Sequence, residues 1–469
     1  MPHPAPDPVG LHHDGPRDPE RDGRDAVRWA DADVRAWWPD DALLRGELPA
    51  AAVSLDTHFQ PIAAVRRGTI LGVEALTRAR RADGGAIAPL ALFAAAEREG
   101  TAAELDRACR RLAVARFAPL HRQAPTLVGF VNCHVTTFLA DTDGPDGWPA
   151  LAAAARVSPH ALALEVLEAQ AGDLDALAAA TAAYRAAGFL VVVDDVGAGH
   201  SNLDRVAAVR PDMLKADRSL VRGCAEDRVR RAVLRALVGL SEEIGGWVVA
   251  EGVEDEADAL AALDLGVDLV QGYHLGRPAP LPGPAALDGA VRRTEVLADR
   301  HRARTQHRVH TARGLRAARM AFARDTAAAL APCPPEDWEP MLAAALERAP
   351  GDPASASAAV LDATGVQQTA TVRHPAGAAA DRPERTLIFH APAAGTDHAQ
   401  EEYVFLLGDG VGATYESPPY VPLPNERVCV TVSTAFAGAG GARWLLVVHL
   451  AAELQGPPDA GPPADALGR

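Results

Sequence analysis

The chain has 469 residues, more than one hydrophobic core usually supports, so two folded domains with flanking tails are expected. Hydrophobic residues make up 48% and charged residues 23%, proportions typical of globular proteins that exclude wholesale disorder. The formal net charge of −16 provides no attraction for DNA or RNA, although bound cations can still let an acidic protein hold a small anionic nucleotide.

The cysteines and the apolar runs indicate a cellular compartment. Five widely spaced cysteines form no CxxC pair, which favours a reducing environment over a disulfide framework. The first residues contain no apolar stretch of the kind found in secretory signals, and no apolar run approaches 18 residues. The sequence therefore predicts a cytoplasmic protein that does not associate with membranes.

The N-terminal region is expected to contain a tail and one helix. Residues 1–24 are rich in Pro, Asp, Arg and Gly without periodicity, which predicts a disordered tail. Residues 25–49 carry three tryptophans at near-helical spacing, which predicts an amphipathic helix. Docking of this helix onto the main domain is favoured over docking onto a partner protein.

Residues 50–284 alternate short β-rich runs with Ala-, Leu- and Arg-rich helical segments. This alternation predicts the α/β fold class and a TIM-like (β/α)8 barrel of parallel strands. Helices are expected at 104–118, 173–188 and 227–245. The eight β-rich runs are 54–65, 70–76, 127–132, 162–168, 190–196, 213–217, 247–254 and 269–276.

Two further segments follow the barrel, with a tail at 456–469. Residues 285–331 form a long Arg-rich helical pattern, for which a solvated connecting helix is favoured over a nucleic-acid-binding stripe, because aromatic residues are not interleaved. Residues 332–455 predict a smaller α+β domain. Its strand-like runs are 358–372, 385–391, 401–408, 427–436 and 443–452.

Seven successive β-rich runs of the predicted barrel end in polar residues suited to site chemistry. The carboxyl ends of parallel barrel strands converge on one face, so residues that are distant in sequence become neighbours there. The set is Glu74, Asn132, Glu165, Asp194 with Asp195, Lys215, Glu251 and Gln271.

Five carboxylates gathered on one face would repel one another unless cations neutralise them. Their donor atoms are carboxylate and amide oxygens, which suit Mg²⁺ or Mn²⁺ better than zinc. The adjacent Asp194 and Asp195 can bridge two such ions, an arrangement used in phosphoester hydrolysis. Any one of these acidic residues alone could be an ordinary acid on the protein surface. Seven polar residues at consecutive strand ends are not explained in that way.

Several motifs of residues 50–284 resemble the EAL family of cyclic di-GMP phosphodiesterases. Residues 59–78 contain FQPI and GVEALTR, and DDVGAGHSNL (194–203) is similar to the family's DDFGTGYSSL loop. RPDMLKADRSLV (210–221) and the AEGVE and QGYHLGRP motifs within 248–278 match further family segments in the same order.

The resemblance implies roles for individual residues. Glu74, Asn132, Glu165 and Asp194 would bind one metal ion, and Asp194, Asp195 and Glu251 the other. Lys215 would contact the nucleophilic water, whose deprotonation Glu251 would assist, so the implied catalytic residues are Lys215, Glu251 and Glu74. Gln60, Arg78 and Gln271 would bind substrate, while Glu168 and Glu254 would steady the loop after Asp195.

This sequence departs from the family pattern around the site. Val196, Ala198 and His200 replace the usual Phe, Thr and Tyr, Leu167 replaces Thr, and Cys133-His134 follow Asn132 where Leu-Ser is common. None of these changes removes an expected metal ligand. His134 and His200 are interpreted as loop-packing residues rather than additional ligands.

The C-terminal domain weakly resembles Cache- and PAS-like sensory modules in segments such as VLDATGVQQTATV and VCVTVSTAF. A regulatory domain that binds an unknown small ligand and a dimerisation or packing module are equally open. The family resemblance also implies a homodimer formed through the barrel.

The resemblance implies hydrolysis of cyclic di-GMP to linear pGpG with two Mg²⁺ or Mn²⁺ ions. One alternative is a catalytically weak cyclic di-GMP receptor that signals through the C-terminal domain. A second alternative is a barrel hydrolase that acts on another phosphodiester. No sequence of the GGDEF type is present, so synthesis of cyclic di-GMP is not expected.

Overall fold

A computed structural model describes residues 53–81, 84–142, 147–166, 173–198, 203–281, 283–352, 355–375, 392–420 and 428–452. The predicted tails, the helix at 25–49 and the strand at 385–391 lie outside these described residues. The chain divides into two compact units, with the boundary between Ala303 and Arg304.

Eight strands close into a barrel in the first unit, which confirms the predicted TIM-like architecture. The order around the ring is β1-β2-β4-β5-β6-β7-β8-β9, and β9 pairs with β1. A two-residue strand, β3 (Ala86–Ile87), pairs with the end of β2 outside the ring. The ring strands are β1 (Val53–Ala64), β2 (Thr69–Arg81), β4 (Val128–Cys133), β5 (Leu162–Val166), β6 (Leu190–Val196), β7 (Met213–Ala216), β8 (Trp247–Ala250) and β9 (Leu269–Gln271).

The prediction that all eight strands are parallel is wrong for β1. This strand runs antiparallel to both of its neighbours, β2 and β9, while the other seven strands are parallel. Only residues 65–68 connect β1 to β2, and Gly68 takes a left-handed conformation with φ of 66°. A parallel pair needs a crossover of a dozen or more residues, so this short link forces a hairpin.

Helices surround the barrel, and several begin at an aspartate that caps the first turn. Asp173, Asp227 and Asp255 accept hydrogen bonds from backbone N–H groups of the helices that they precede. Gly245 ends one helix in the left-handed conformation, as its sequence position predicts. The helices are α1 (Pro89–Glu99), α2 (Ala102–Gln123), α3 (Val135–Ala140), α4 (Trp148–Ala155), α5 (Leu174–Ala186), α6 (Leu203–Val209), α7 (Arg218–Val221), α8 (Arg228–Ile244) and α9 (Glu256–Asp264).

The barrel interior is a packed core rather than a pore. Its fully buried side chains include Ile62, Phe130, Val192 and Val249, each at 0% exposure. A larger cluster, with Phe117, Trp148 and Leu214 among its members, fills the space between strands and helices. This packing leaves the ends of the strands as the place for a site.

The second unit contains an antiparallel sheet in the order β11-β10-β14-β13-β12. One apolar cluster joins β10, β13 and β14 to the last turns of α10 and to α11, around the buried Trp338. The elements are α10 (Asp288–Leu330), which begins in the first unit, α11 (Trp338–Leu346), β10 (Ser357–Asp362), β11 (Val372–Arg373), α12 (Glu402–Phe405), β12 (Thr414–Glu416), β13 (Cys429–Ala437) and β14 (Arg443–Ala451).

The predicted strand at 401–408 is wrong, because its centre forms the short helix α12. Tyr403 and Leu407 are buried at helical spacing, whereas Phe405, which strand alternation would place on the same face, is 59% exposed. Short apolar runs fit a helix or a strand, and here tertiary packing decides between them.

Among the described residues, no helix combines the length and apolarity that a bilayer-spanning segment needs.

Candidate active site

The polar residues predicted at the strand ends lie together at the carboxyl-terminal mouth of the barrel. Each ring strand from β2 to β9 provides one position, with Glu251 immediately after β8. The members are Glu74, Asn132, Glu165, Asp194, Lys215, Glu251 and Gln271. Except for Asn132 and Glu251, which are partly buried, their exposure is 6% or less.

Lys215 is the centre of this site and is 1% exposed. Its Nζ lies 2.5 Å from Glu251 Oε1 and 2.8 Å from Glu165 Oε1. The same Nζ lies 3.4 Å from both Glu74 Oε2 and Asp194 Oδ1. One ammonium group therefore faces four carboxylates, three from different strands and one from the residue that follows β8.

Amide side chains orient Glu74 from both sides. Asn132 Nδ2 donates to Glu74 Oε1 at 3.0 Å, and Gln271 Nε2 donates to Glu74 Oε2 at 2.5 Å. Gln271 Nε2 also lies 3.3 Å from Gln60 Oε1, and Gln60 donates to the backbone oxygen of Gly276 at 3.0 Å. These contacts place the predicted substrate-binding Gln60 and Gln271 beside the carboxylate cluster.

An unusual backbone conformation brings Asp194 and Asp195 to the same site. Successive residues of a regular strand point to opposite faces, so adjacent residues do not normally share a site. Asp195 has φ of 55°, and the pairing of β6 with β7 shifts register between Val193 and Val196. As a result, carboxylate oxygens of Asp194, Asp195 and Glu251 all lie within 4.8 Å of one another.

The electrostatics of the cluster indicate a shortage of positive charge. Burial raises the pKa of Glu165 well above its ordinary value, with Glu74 and Asp194 adding to the effect. Burial likewise raises the pKa of Glu251 to about 8, against the opposing effect of Lys215. Burial lowers the pKa of Lys215, but the surrounding carboxylates outweigh it and raise that pKa well above its ordinary value. One lysine does not compensate five acids.

The residues present fit divalent cations. Both carboxylate oxygens of Glu165 are buried and receive no hydrogen bond of normal geometry from the described residues, although Lys215 contacts one of them. Gln271 Oε1 is buried in the same way. The donors are all oxygen atoms, which hard cations such as Mg²⁺ and Mn²⁺ prefer.

A cavity of about 840 Å³ opens above the cluster, within the range that small-molecule sites occupy. Arg78 lines this cavity, and one of its guanidinium nitrogens donates to Thr77 O at 2.9 Å. Glu254 lies on the rim, with Oε2 3.7 Å from Arg222. Glu168 and His200 lie outside the described residues, so the predictions for them stay predictions.

Two features of the site were not identified from the sequence, namely the position of Asp217 beside the cavity and the capping of α3 by His134. Asp217 lines the cavity and caps α7 through the backbone N–H of Ser219, and its position two residues after Lys215 was the available signal. Lys215 is the only lysine among 46 Lys and Arg residues, a compositional signal that marks it without any alignment. His134 caps α3, since its Nδ1 accepts from Thr136 N at 3.3 Å.

Comparisons with known proteins agree with this arrangement. A family model described as the EAL domain matches residues 45–278. The bifunctional diguanylate cyclase/cyclic di-GMP phosphodiesterase MucR of Pseudomonas aeruginosa is 32% identical over 229 residues, which cover 48% of this chain and 33% of MucR. The cyclic di-GMP phosphodiesterase NbdA of the same organism is 31% identical over 244 residues, which cover 51% of this chain and 30% of NbdA. The chain thus spans well under two thirds of these curated relatives.

One solved structure resembles most of the chain. The Bacillus subtilis YkuI protein, with an EAL domain, crystallised in complex with c-di-GMP and calcium, aligns with a TM-score of 0.68 at 20% identity. The alignment covers 85% of this chain and 96% of YkuI, a likeness of fold. The family match establishes that this chain contains an EAL domain, within residues 45–278.

Proposed function

We propose that this chain is a metal-dependent phosphodiesterase that hydrolyses one phosphodiester of cyclic di-GMP to give linear pGpG. The observation that carries the proposal is the cluster of five carboxylates around one buried lysine at the barrel mouth. Two relatives whose names include cyclic di-GMP phosphodiesterase support the choice of substrate.

The proposed metal ligands fall into two groups that share Asp194. Glu74, Asn132, Glu165 and Asp194 would hold one Mg²⁺ or Mn²⁺ ion, and Asp194, Asp195 and Glu251 the other. When bound, such ions polarise the phosphoryl oxygens and make water a better nucleophile at neutral pH. The close approach of the Asp194, Asp195 and Glu251 oxygens supports the second group.

Lys215 and Glu251 would guide the attacking water. Lys215 Nζ can donate hydrogen bonds and stabilise negative charge that develops during attack. Glu251 Oε1 lies 2.5 Å from that nitrogen, and its side chain is 18% exposed, compared with 0% for Glu165. Glu251 therefore lies on the cavity side of the cluster, where it can accept a proton from the water.

Arg78, Gln60 and Gln271 would position the dinucleotide. Arg78 is four residues after Glu74 on β2, so both side chains point to the same face of the strand. Its guanidinium group can bind a phosphate with two parallel hydrogen bonds. Glu254 and Glu168 would steady the loop that follows Asp195.

Further parts of the proposal concern the whole protein. A homodimer formed through the barrel and a cytoplasmic location follow from the family resemblance and from the sequence. The second unit would regulate the barrel through a small ligand, in keeping with the predicted Cache- or PAS-like character of residues 332–455.

A turnover assay tests the central proposal. Purified full-length protein with cyclic di-GMP and Mg²⁺ or Mn²⁺ should release pGpG, and EDTA should stop the reaction. Ca²⁺ should inhibit, because it is larger and a poorer activator of water. Tight binding of cyclic di-GMP without release of pGpG would instead establish a receptor function. Faster hydrolysis of a different phosphodiester in a panel of substrates would establish a hydrolase with another substrate.

A further inference from the structure

Helix α1 presents one face to the cavity beside the catalytic cluster. Leu90, Phe93 and Glu97 line the cavity and are spaced by three and four residues, so they lie in one row along the helix. Leu90 is 88% exposed at the rim, and Phe93 is partly buried. The row therefore combines an apolar wall with a carboxylate.

The side chain of His134 lies close to Glu97, and a hydrogen bond fixes the tautomer of its ring. Its Nδ1 accepts a hydrogen bond from Thr136 N, so in the neutral ring the proton is on Nε2. That Nε2 atom is buried and has no hydrogen-bond partner among the described residues. It lies 3.7 Å from Glu97 Oε1, too far for a direct hydrogen bond but close enough for both groups to contact one ligand.

A buried N–H group that makes no hydrogen bond destabilises the protein unless a ligand accepts a hydrogen bond from it. Here the donor without a partner lies next to a carboxylate acceptor, and the two residues, His134 and Glu97, both line the cavity. The Watson–Crick edge of guanine has the complementary pattern, with the O6 acceptor beside the N1–H and 2-amino donors. Adenine has the reverse order at the equivalent atoms, and its N1 lone pair would face the carboxylate.

We propose that Glu97 and His134 form a guanine-reading pair in which the Glu97 carboxylate accepts from N1–H and the 2-amino group, and His134 Nε2–H donates to O6. Leu90 and Phe93 provide the apolar surface against which the ring packs. This proposal rests on the proposed function, because it assigns one base of the cyclic dinucleotide to this part of the cavity. It makes Glu97 and His134 specificity-determining residues for a reaction that occurs at the metal cluster.

Two conservative variants separate base recognition from folding. Glu97→Gln keeps the size of the side chain but replaces one acceptor oxygen with a donor. His134→Asn keeps an acceptor that can cap α3 in place of Nδ1 and removes the Nε2 donor. Glu99→Gln, on an exposed position of the same helix that does not line the cavity, is the matched control.

The readout is the ratio of dissociation constants for cyclic di-AMP and cyclic di-GMP, measured calorimetrically with Ca²⁺ and full-length protein. Glu97→Gln should lower this ratio by about 10- to 100-fold, and His134→Asn by about 3- to 10-fold, because charged hydrogen bonds discriminate more strongly than neutral ones. Loss of folded protein would lower the number of sites and leave the ratio unchanged. Glu99→Gln should preserve the wild-type ratio.

Cyclic di-IMP, which lacks the 2-amino group, provides a second check. The wild type should bind it several-fold more weakly than cyclic di-GMP, while Glu97→Gln should show little difference between the two ligands. An unchanged cyclic di-AMP to cyclic di-GMP ratio in both variants would overturn the guanine-reading pair, even if the wild type hydrolyses cyclic di-GMP. If the wild type binds cyclic di-GMP selectively but does not hydrolyse it, the proposed enzymatic function is overturned. The guanine-reading pair would still be supported in that case if the two variants lower the ratio of the cyclic di-AMP and cyclic di-GMP dissociation constants.

Discussion

Lys215 is a buried cation whose role is defined by the carboxylates that surround it. Four carboxylate oxygens lie 2.5 to 3.4 Å from Nζ, so the position accepts a compact ammonium group and little else. A guanidinium group has the same charge but a larger, planar shape that these distances do not accommodate. Charge alone therefore does not explain the choice of lysine in a chain that otherwise uses arginine.

Lys215→Arg and Glu74→Ala should each reduce turnover of cyclic di-GMP by at least about 1,000-fold, since the first moves the positive charge away from its position among the carboxylates and the second removes a carboxylate of the cluster. Circular dichroism should show that the folded structure is retained. Glu99→Ala, an exposed substitution on α1, should leave the rate unchanged. Turnover near the wild-type rate in either site variant would contradict the assigned roles.

The cysteines provide a test of burial that does not depend on activity. Burial raises the pKa of Cys109 and Cys224 to about 12 and that of Cys133 well above its ordinary value. Cys429 is also buried, whereas Cys333 is only partly buried. A thiol reagent should therefore label Cys333 first in the native protein and all five cysteines after denaturation, as mass spectrometry can show. Rapid native labelling of Cys133 would show that the wall of the site opens.

Elements hold these residues in place through a few tight backbone contacts. The loop after β9 is one example, because Val253 N donates to Gln271 O at 3.0 Å and thereby fixes the residue that orients Glu74. A Cβ atom on the adjacent Gly272 would lie 2.0 Å from the backbone oxygen of Val253. No side-chain rotation relieves a collision with backbone.

Gly272→Ala should therefore lower both the melting temperature and the turnover rate, because the strand end that contains Gln271 must shift. Gly239→Ala is the control: this glycine lies within α8, and a Cβ there would meet nothing within 4 Å. That change should stabilise the protein by up to about 1 kcal/mol through helix propensity. Equal effects of the two substitutions in thermal unfolding would contradict the close contact at Gly272.

The sheet of the second unit contains a partly buried histidine, His449, that makes the stability of this unit depend on pH. His449 Nδ1 lies 2.8 Å from Thr431 Oγ1 and 3.2 Å from the Tyr420 hydroxyl. Burial, with a smaller contribution from His398, lowers the pKa of His449 to about 4 from an ordinary value of 6.5. The neutral ring is therefore the form that the folded state accepts.

Because the folded pKa is below the unfolded one, His449 contributes full stability above pH 6.5, and this contribution declines as the pH falls toward 4. The loss is at most about 3 kcal/mol for a shift of this size. Hydrogen exchange of β13 and β14, converted to opening free energies, should show this decline in the wild type. The difference between the pH profiles of the wild type and His449→Gln gives the contribution of His449. If the opening free energy changes with pH by the same amount in both proteins, His449 makes no such contribution.

At the scale of the whole molecule, the acidic cluster makes the stability of the barrel dependent on cations. The pKa of Asp194 is raised, because burial and Glu74 outweigh Lys215. The ionised cluster therefore costs stability in the absence of metal, and a bound cation recovers it.

Mg²⁺ or Mn²⁺ at 100 times its dissociation constant should stabilise the wild type by about 2.7 kcal/mol. Asp194→Asn should be more stable than the wild type in EDTA, because one repelling charge is gone, yet gain little from added metal. Asp175→Asn, an exposed change on α5, should respond to metal as the wild type does. A full thermal shift with metal in Asp194→Asn would exclude this residue as a ligand.

The barrel, the family resemblance and the set of strand-end residues could all be predicted from the amino-acid sequence alone. Alternating β-rich and helical segments are local patterns, and parallel strands then bring their carboxyl ends to one face by geometry alone. The positions of Glu74, Glu165, Lys215 and Glu251 could therefore be predicted. Their shared role in binding metal stays a prediction, which rests on the need of so many acids on one face for cations.

The remaining features could not be predicted from the sequence, because they depend on contacts between segments that are distant in the chain. The reversed β1, the left-handed Asp195 that brings two adjacent carboxylates to one site, and the helix at 402–405 follow from pairing and packing. The approach of His134 to Glu97 is of the same kind, since no local pattern connects a residue after β4 to the end of α1. Local sequence sets which residues face the barrel mouth, whereas the distances between their atoms are set by the packing of the whole unit.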